Sequence, residues 1–197
     1  MRAALFGSLI FAATLLLASD TFAQTPAPDI WSRGTTLSLF AGSANAPPTT
    51  AKTFGAAVGW ELNHRLELEG VGAWLPENKG TQAYTAEFKA AVNLTHPART
   101  VPYLTGGVGM YRTTVEPALA TLPHFYQQRI GLSAVARRTF DDPSFVAGGG
   151  ANVYIARHFS LRPELTVRFV TNGSDAYRVT LANVSIAYHV EEHEIGK

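Results

Sequence analysis

Beyond residue 34 the chain alternates apolar and polar residues with a period of two, the signature of half-buried strands and not of helices. Between Phe159 and Phe169 the pattern is complete. Phe159, Leu161, Pro163, Leu165, Val167 and Phe169 share one face, while Ser160, Arg162, Glu164, Thr166 and Arg168 share the other. The same division sets Tyr84, Ala86, Phe88, Ala90, Val92 and Leu94 against Thr85, Glu87, Lys89 and Asn93. Phe54, Ala56, Val58, Trp60 and Leu62 oppose Thr53, Gly55, Gly59 and Glu61, and Leu66, Leu68 and Trp74 oppose Glu67 and Glu69. Eight such segments are predicted: 35–42, 52–62, 66–75, 82–94, 101–115, 145–156, 159–170 and 177–190. Most run well past the ~5–6 residues usual for strands of soluble sheets.

The gaps between segments fall into two sets. Asn63–Arg65, Thr95–Thr100 and Arg157–His158 read as short turns. Ser43–Ala51, Pro76–Thr81, Glu116–Ser144 and Thr171–Ala176 read as loops, the third of them long. Short turns on one rim and longer loops on the other is the habit of transmembrane barrels, whose turns face the periplasm. An even number of strands returns both chain ends to the turn rim. The expected fold is therefore all-β, an eight-stranded antiparallel up-and-down transmembrane β-barrel over residues 33–190.

Alternation does not say which face is inside. A soluble lipocalin-like barrel in the periplasm, binding an apolar ligand, has the same period with the faces reversed. Three features put lipid outside. Aromatic residues mark strand ends on the apolar face: Phe54, Trp74, Tyr84, Phe145 and Phe169 toward the loops, and Trp60, Phe159 and Tyr188 toward the turns. A strand from Phe159 to Phe169 is about 33 Å long, and at a ~40° tilt it spans about 25 Å, the height of an outer-membrane apolar band. The polar face is rich in Gly, Ala and Thr, not in scattered Lys and Glu. Finally, the cleanly alternating strands carry no charge on their apolar face between the ends, where one Arg or Lys costs ~2–4 kcal/mol.

An eight-stranded barrel is only wide enough for its own side chains to fill it. Glu61, Glu67, Glu69, Glu87 and Glu164 are thus expected to pair inside with Lys89, Arg162 and Arg168, as a plug or as a switchable narrow gate. Two strands resist assignment. In the last, Val179 and Leu181 have the opposite parity to Val184, Ile186 and Tyr188, so either a bulge lies near Ala182-Asn183 or Arg178 faces out at the loop rim. Arg112 raises the same question in the fifth.

Composition narrows the class. Charged residues make up 16% of the 197 residues, and the formal net charge is +1, so no basic field invites nucleic acid. The absence of cysteine excludes disulfides, thiolate metal sites and cysteine nucleophiles. With 46% apolar residues the chain can fill a core. Residues 1–23 read as a secretory signal peptide: Arg2, an apolar run through Ala18 too short and diluted to span a bilayer, and a small residue at Ala23. Residues 24–32 read as a flexible leader and 191–197 as a polar tail.

The segments Val101-Pro102-Tyr103-Leu104-Thr105-Gly106-Gly107-Val108-Gly109 and Ala147-Gly148-Gly149-Gly150-Ala151-Asn152-Val153-Tyr154, with the hairpin strand Phe159-Ser160-Leu161-Arg162-Pro163-Glu164-Leu165, resemble the eight-stranded outer-membrane barrel superfamily. That superfamily comprises the OmpA-type transmembrane domain and its Opacity-type relatives. The resemblance covers about residues 33–190 and implies architecture, not an activity; it also implies that the lumen charges take part in gating. Members often end on an aromatic residue read by the insertion machinery, whereas this chain runs past Tyr188 to Lys197.

Other motifs fail on context. His189-Val190-Glu191-Glu192-His193 matches an inverted zinc-peptidase pattern but lies at a strand end and not on a helix. His158, Ser160 and Glu164 suggest the hydrolase triad of some lipid-A deacylases, without a lipid-facing site. The glycines at 106, 107, 109 and 148–150 open no helix, so they form no phosphate loop. No cofactor and no metal is expected. The expected partners are outer-membrane lipid and lipopolysaccharide, with a surface ligand at loop 116–144. The expected role is structural or interactive, with a lipid-modifying enzyme as a further alternative.

Overall fold

The structure is a computed structural model that describes residues 34–47, 49–116, 125–126, 137–156, 158–172 and 175–191. The expected signal peptide (1–23), the expected leader (24–32) and residues 192–197 of the expected polar tail lie outside the described residues. Eight strands follow one another: β1 (Gly34–Ala46), β2 (Thr49–Asn63), β3 (Leu66–Asn78), β4 (Thr81–Asn93), β5 (Thr100–Val115), β6 (Arg138–Ala156), β7 (Phe159–Asn172) and β8 (Asp175–Glu191). Each pairs antiparallel with its neighbour in sequence, and β8 closes on β1 from Gly34↔Glu191 to Asn45↔Thr180. A closed ladder leaves no unpaired strand edge, the condition for placing a sheet in lipid.

The apolar face points outward. Phe54, Trp60, Trp74, Tyr84, Phe145, Phe159, Phe169 and Tyr188 are all exposed, as are Leu39, Phe88, Leu104, Leu165 and Ile186 between them. In water such a belt would be intolerable. The soluble lipocalin-like alternative, which needs these side chains enclosed, is thereby overturned.

The two ambiguous strands are regular. The register of β8 against β7 and β1 is unbroken through Ala182 and Asn183, so no bulge reverses its parity. Arg178 faces out, while Tyr177, Val179 and Leu181 point inward. Arg112 also faces out, and its guanidinium grips Asp141 of β6 with two bonds, Nε–Oδ1 at 2.6 Å and Nη2–Oδ2 at 2.9 Å. Asp141 lies four residues beyond Phe145 toward the loops, about 13 Å along the strand. The pair therefore stands beyond the exposed ring of Phe145, toward the loops.

The expected contrast of short turns and long loops does not hold. On the loop rim Ala46 pairs with Thr49, Asn78 with Thr81 and Asn172 with Asp175, so three of the four connections there are two-residue hairpins. Lys79 and Gly80 both take positive φ, 51° and 74°, as a tight hairpin of this hand requires. The fourth connection is shorter than expected, because β6 begins at Arg138 and absorbs 138–144. Hydrophobic alternation stops where lipid stops, but hydrogen-bonded pairing continues above it. Strand ends read from apolar positions therefore fall short.

Candidate functional site: the filled lumen

Small residues decide where large ones can go. Across the β4–β5 ladder Lys89 faces Gly107 and Glu87 faces Gly109; across β6–β7 Glu164 faces Gly150. A Cβ at Gly109 would meet Glu87 Cγ at 2.8 Å, and one at Gly150 would meet Tyr103 Oη at 2.8 Å. The glycine-rich stretches of β5 and β6 thus clear the space that the opposing charged side chains cross.

The lumen contents form layers from the turn rim to the loop rim. Nearest the turns, His189 Nδ1 lies 3.3 Å from Glu61 Oε1 and 3.3 Å from Thr36 Oγ1, and its Nε2 lies 2.9 Å from Ser160 Oγ. The Tyr154 ring packs 5.2 Å from the imidazole. Next comes a knot of five charges. Arg162 Nη2 is 2.6 Å from Glu69 Oε1 and 3.5 Å from Glu67 Oε2. Lys89 Nζ is 3.0 Å from Glu164 Oε1 and 3.3 Å from Glu69 Oε2. Tyr103 Oη donates to Glu164 at 2.9 Å, and the Arg162 guanidinium lies 5.1 Å from the Tyr103 ring centre. Above it Arg168 Nε donates to Glu87, Arg168 Nη2 reaches Thr85 Oγ1 at 3.5 Å, and the guanidinium packs over Tyr111.

Between these two ionic layers is a cavity of about 40 Å³ lined by Arg162, Lys89, Glu164, Arg168, Glu87 and Asn183, among others. A water needs ~10–15 Å³ of such space, so a few fit. Two buried atoms with no protein hydrogen bond, Arg168 Nη1 and Asn183 Oδ1, belong to residues that line it.

All eight residues expected in the lumen point inward, and they form three groups instead of one: Glu61 with His189; Glu67, Glu69, Lys89, Arg162 and Glu164; and Glu87 with Arg168. At the loop end the inner face is apolar. There Ala44, Leu75, Ala83, Tyr111, Val170, Tyr177, Val179 and Leu181 form an apolar cluster, with Phe140 packed against it. Phe125 and Tyr126, from the long connection, complete it: Tyr126 is 1% exposed, its hydroxyl lies 3.1 Å from Thr113 Oγ1, and Phe125 stacks on Tyr177 at 5.9 Å. The opposite parity of Val179 and Leu181 was the sequence signal for this apolar plug.

The rejected triad motif is rearranged, and one strand boundary is corrected. Ser160 meets His189 and not His158, whose ring nitrogen faces the His189 carbonyl at 3.3 Å. The order Ser160–His189–Glu61 mimics a hydrolase triad. Ser160 is completely buried, however, and an acyl carbon cannot reach its hydroxyl. Arg138, Asp141 and Asp142, assigned to the loop, are strand residues of β6.

No protein-family model matches the chain, and no curated protein is detectably similar in sequence. Solved structures are similar in shape. Neisserial surface protein A aligns over 81% of this chain and 99% of its own with a TM-score of 0.60 and 12% identity. The N-terminal β-barrel domain of Pseudomonas aeruginosa OprF aligns over 80% and 100%, with a TM-score of 0.55 and 11% identity. The outer membrane protein OprG of Pseudomonas aeruginosa aligns over 82% and 98%, at 0.52 and 9%. The fold is that of the eight-stranded outer-membrane β-barrels. In the present chain the aromatic rows lie on the exposed outer face of this fold, and the charges lie inside it.

Proposed function

We propose that this chain resides in an outer membrane as a non-enzymatic β-barrel whose role is structural or interactive, with its lumen sealed against free diffusion. The observation that carries the reading is the pairing of an exposed apolar belt with an interior filled from rim to rim by ion pairs and an aromatic plug. Permanent passage of solutes needs a lumen that eight strands do not leave. A narrow water path is compatible with the cavity if Arg168–Glu87 and the Arg162 knot exchange partners.

The loop rim is the surface offered to the outside. The Arg112–Asp141 pair and Arg178 stand outward there, which supports contact with lipopolysaccharide phosphates, and the connection after Val115 is the place for a specific surface ligand. Cell fractionation with an osmotic wash tests the assignment. The protein should stay with the membrane, require detergent for release, and migrate differently on gels before and after boiling. Release by the wash alone would refute it.

A further inference from the structure

The three turns have a charge character that the lumen does not explain, set against Glu191, which ends β8 on the same rim. The three turns, Asn63–Arg65, Thr95–Thr100 and Arg157–His158, contain three arginines and three histidines but not one Asp or Glu. Two of them are locked together. Asn93 donates its backbone N–H to Arg65 O at 2.8 Å and its side-chain amide to His64 O at 3.0 Å. The rings of His64 and His96 stack across the gap, 6.3 Å apart and 15° from parallel. His64, Arg65, His96 and Arg99 are all exposed, so the joined turns present two guanidinium groups and two imidazoles on one surface.

That surface abuts the lipid-facing belt. Trp60, Leu62 and Leu94, each exposed, lead directly down β2 and β4 into it. A ligand filling both parts needs acyl chains beside Trp60, Leu62 and Leu94 and an anionic group at the level of Arg65 and Arg99. We propose that the joined β2–β3 and β4–β5 turns form a headgroup site for an anionic glycerophospholipid of the adjacent leaflet, with a phosphodiester of the phosphatidylglycerol type. The proposal rests on the membrane reading above. The arginines supply charge-assisted bonds to phosphate oxygens, and the imidazoles supply further donors from a preorganised stack. Near an anionic surface each arginine favours such a headgroup by a factor of about five. At the loop rim the tight hairpins mix signs instead, with Glu77 beside Lys79 and an acid at Asp175.

Tryptophan quenching by brominated lipids tests the site, because Trp60 sits beside it and Trp74 marks the opposite rim. Full-length protein carrying Trp31→Phe and Trp74→Phe is reconstituted in phosphatidylcholine vesicles containing either brominated phosphatidylglycerol or brominated phosphatidylcholine. Trp60 should be quenched at a several-fold lower fraction of the anionic lipid, and Trp74, in the Trp31→Phe/Trp60→Phe protein, should show no such preference. The preference should vanish in Arg65→Glu/Arg99→Glu. If that variant does not fold, 0.5 M salt on the unmodified rim should remove it by screening (~4–5 Å Debye length). Equal quenching by both lipids overturns the proposal while leaving the membrane reading intact. No quenching by either overturns both. Arginine-dependent sedimentation with peptidoglycan, without a lipid preference, would assign the rim to an acidic wall polymer and also overturn it.

Discussion

Lys89 lies directly across the β4–β5 ladder from Gly107, and a Cβ at that glycine would stand 3.0 Å from the lysine's own Cγ. The lysine can turn inward to Glu164 and Glu69 only because its partner strand presents no side chain there. Gly107→Val should therefore break the Lys89 contacts even though it adds only apolar atoms. The refolded fraction, measured by gel mobility before and after boiling, should fall sharply. Val at Gly106, on the outer face where a Cβ meets nothing nearer than 3.7 Å, should be tolerated.

Arg162 holds both Glu69 and Glu67, and each of the three is buried. Removing one member of a buried ion pair leaves the others uncompensated, at a cost of about 3–5 kcal/mol. Arg162→Ala should lower the unfolding midpoint of the detergent-refolded barrel in guanidinium accordingly. Adding Glu69→Gln should restore part of the loss, because it removes one of the stranded charges. An additive double variant would mean that the pair is not energetically coupled.

The inward placement of the lumen charges was legible because strand geometry is strict. Once Phe159 and Leu165 face lipid, a period of two forces Arg162 and Glu164 inward, and an eight-stranded barrel leaves charged groups nowhere to go but onto each other. Which charges meet was not legible. Register decides that, and register depends on hairpins such as Lys79-Gly80, whose tightness no apolar pattern records. The apolar plug escaped for a related reason: Val179, Leu181 and Tyr177 break the polar-inside rule of their own strand. Only the closed barrel shows that they cover the charged layer beneath Tyr126.

The belt itself is testable at its middle. Phe88 is 52% exposed on β4 and lies between Tyr84 and Val92, so its ring faces the hydrocarbon. Phe88→Arg should destabilise the barrel in lipid vesicles by ~2–4 kcal/mol, read from denaturant titration of intrinsic fluorescence. Arginine at Tyr84, nearer the loop rim and beside Arg112 across the ladder, should cost less, because a long side chain there reaches the headgroups. Equal penalties at the two sites would contradict the placement of the membrane.

Tyr126 is the sole buried aromatic contributed by the described part of the long connection, and it rests on Tyr177, Phe140 and the Thr113 hydroxyl. Beneath it are apolar side chains and, below those, the Arg168–Glu87 pair. Two seals in series mean that neither alone controls access. Tyr126→Ala should remove the outer seal and cost about 3–5 kcal/mol in stability, the usual range for truncating a large buried aromatic side chain. It should leave conductance low, because the ionic layers still close the path. Only the combination Tyr126→Ala with Arg168→Ala should give a measurable rise in single-channel events. If Tyr126→Ala alone opened the barrel, the charged layers would not be the barrier, and the aromatic mouth would be the gate.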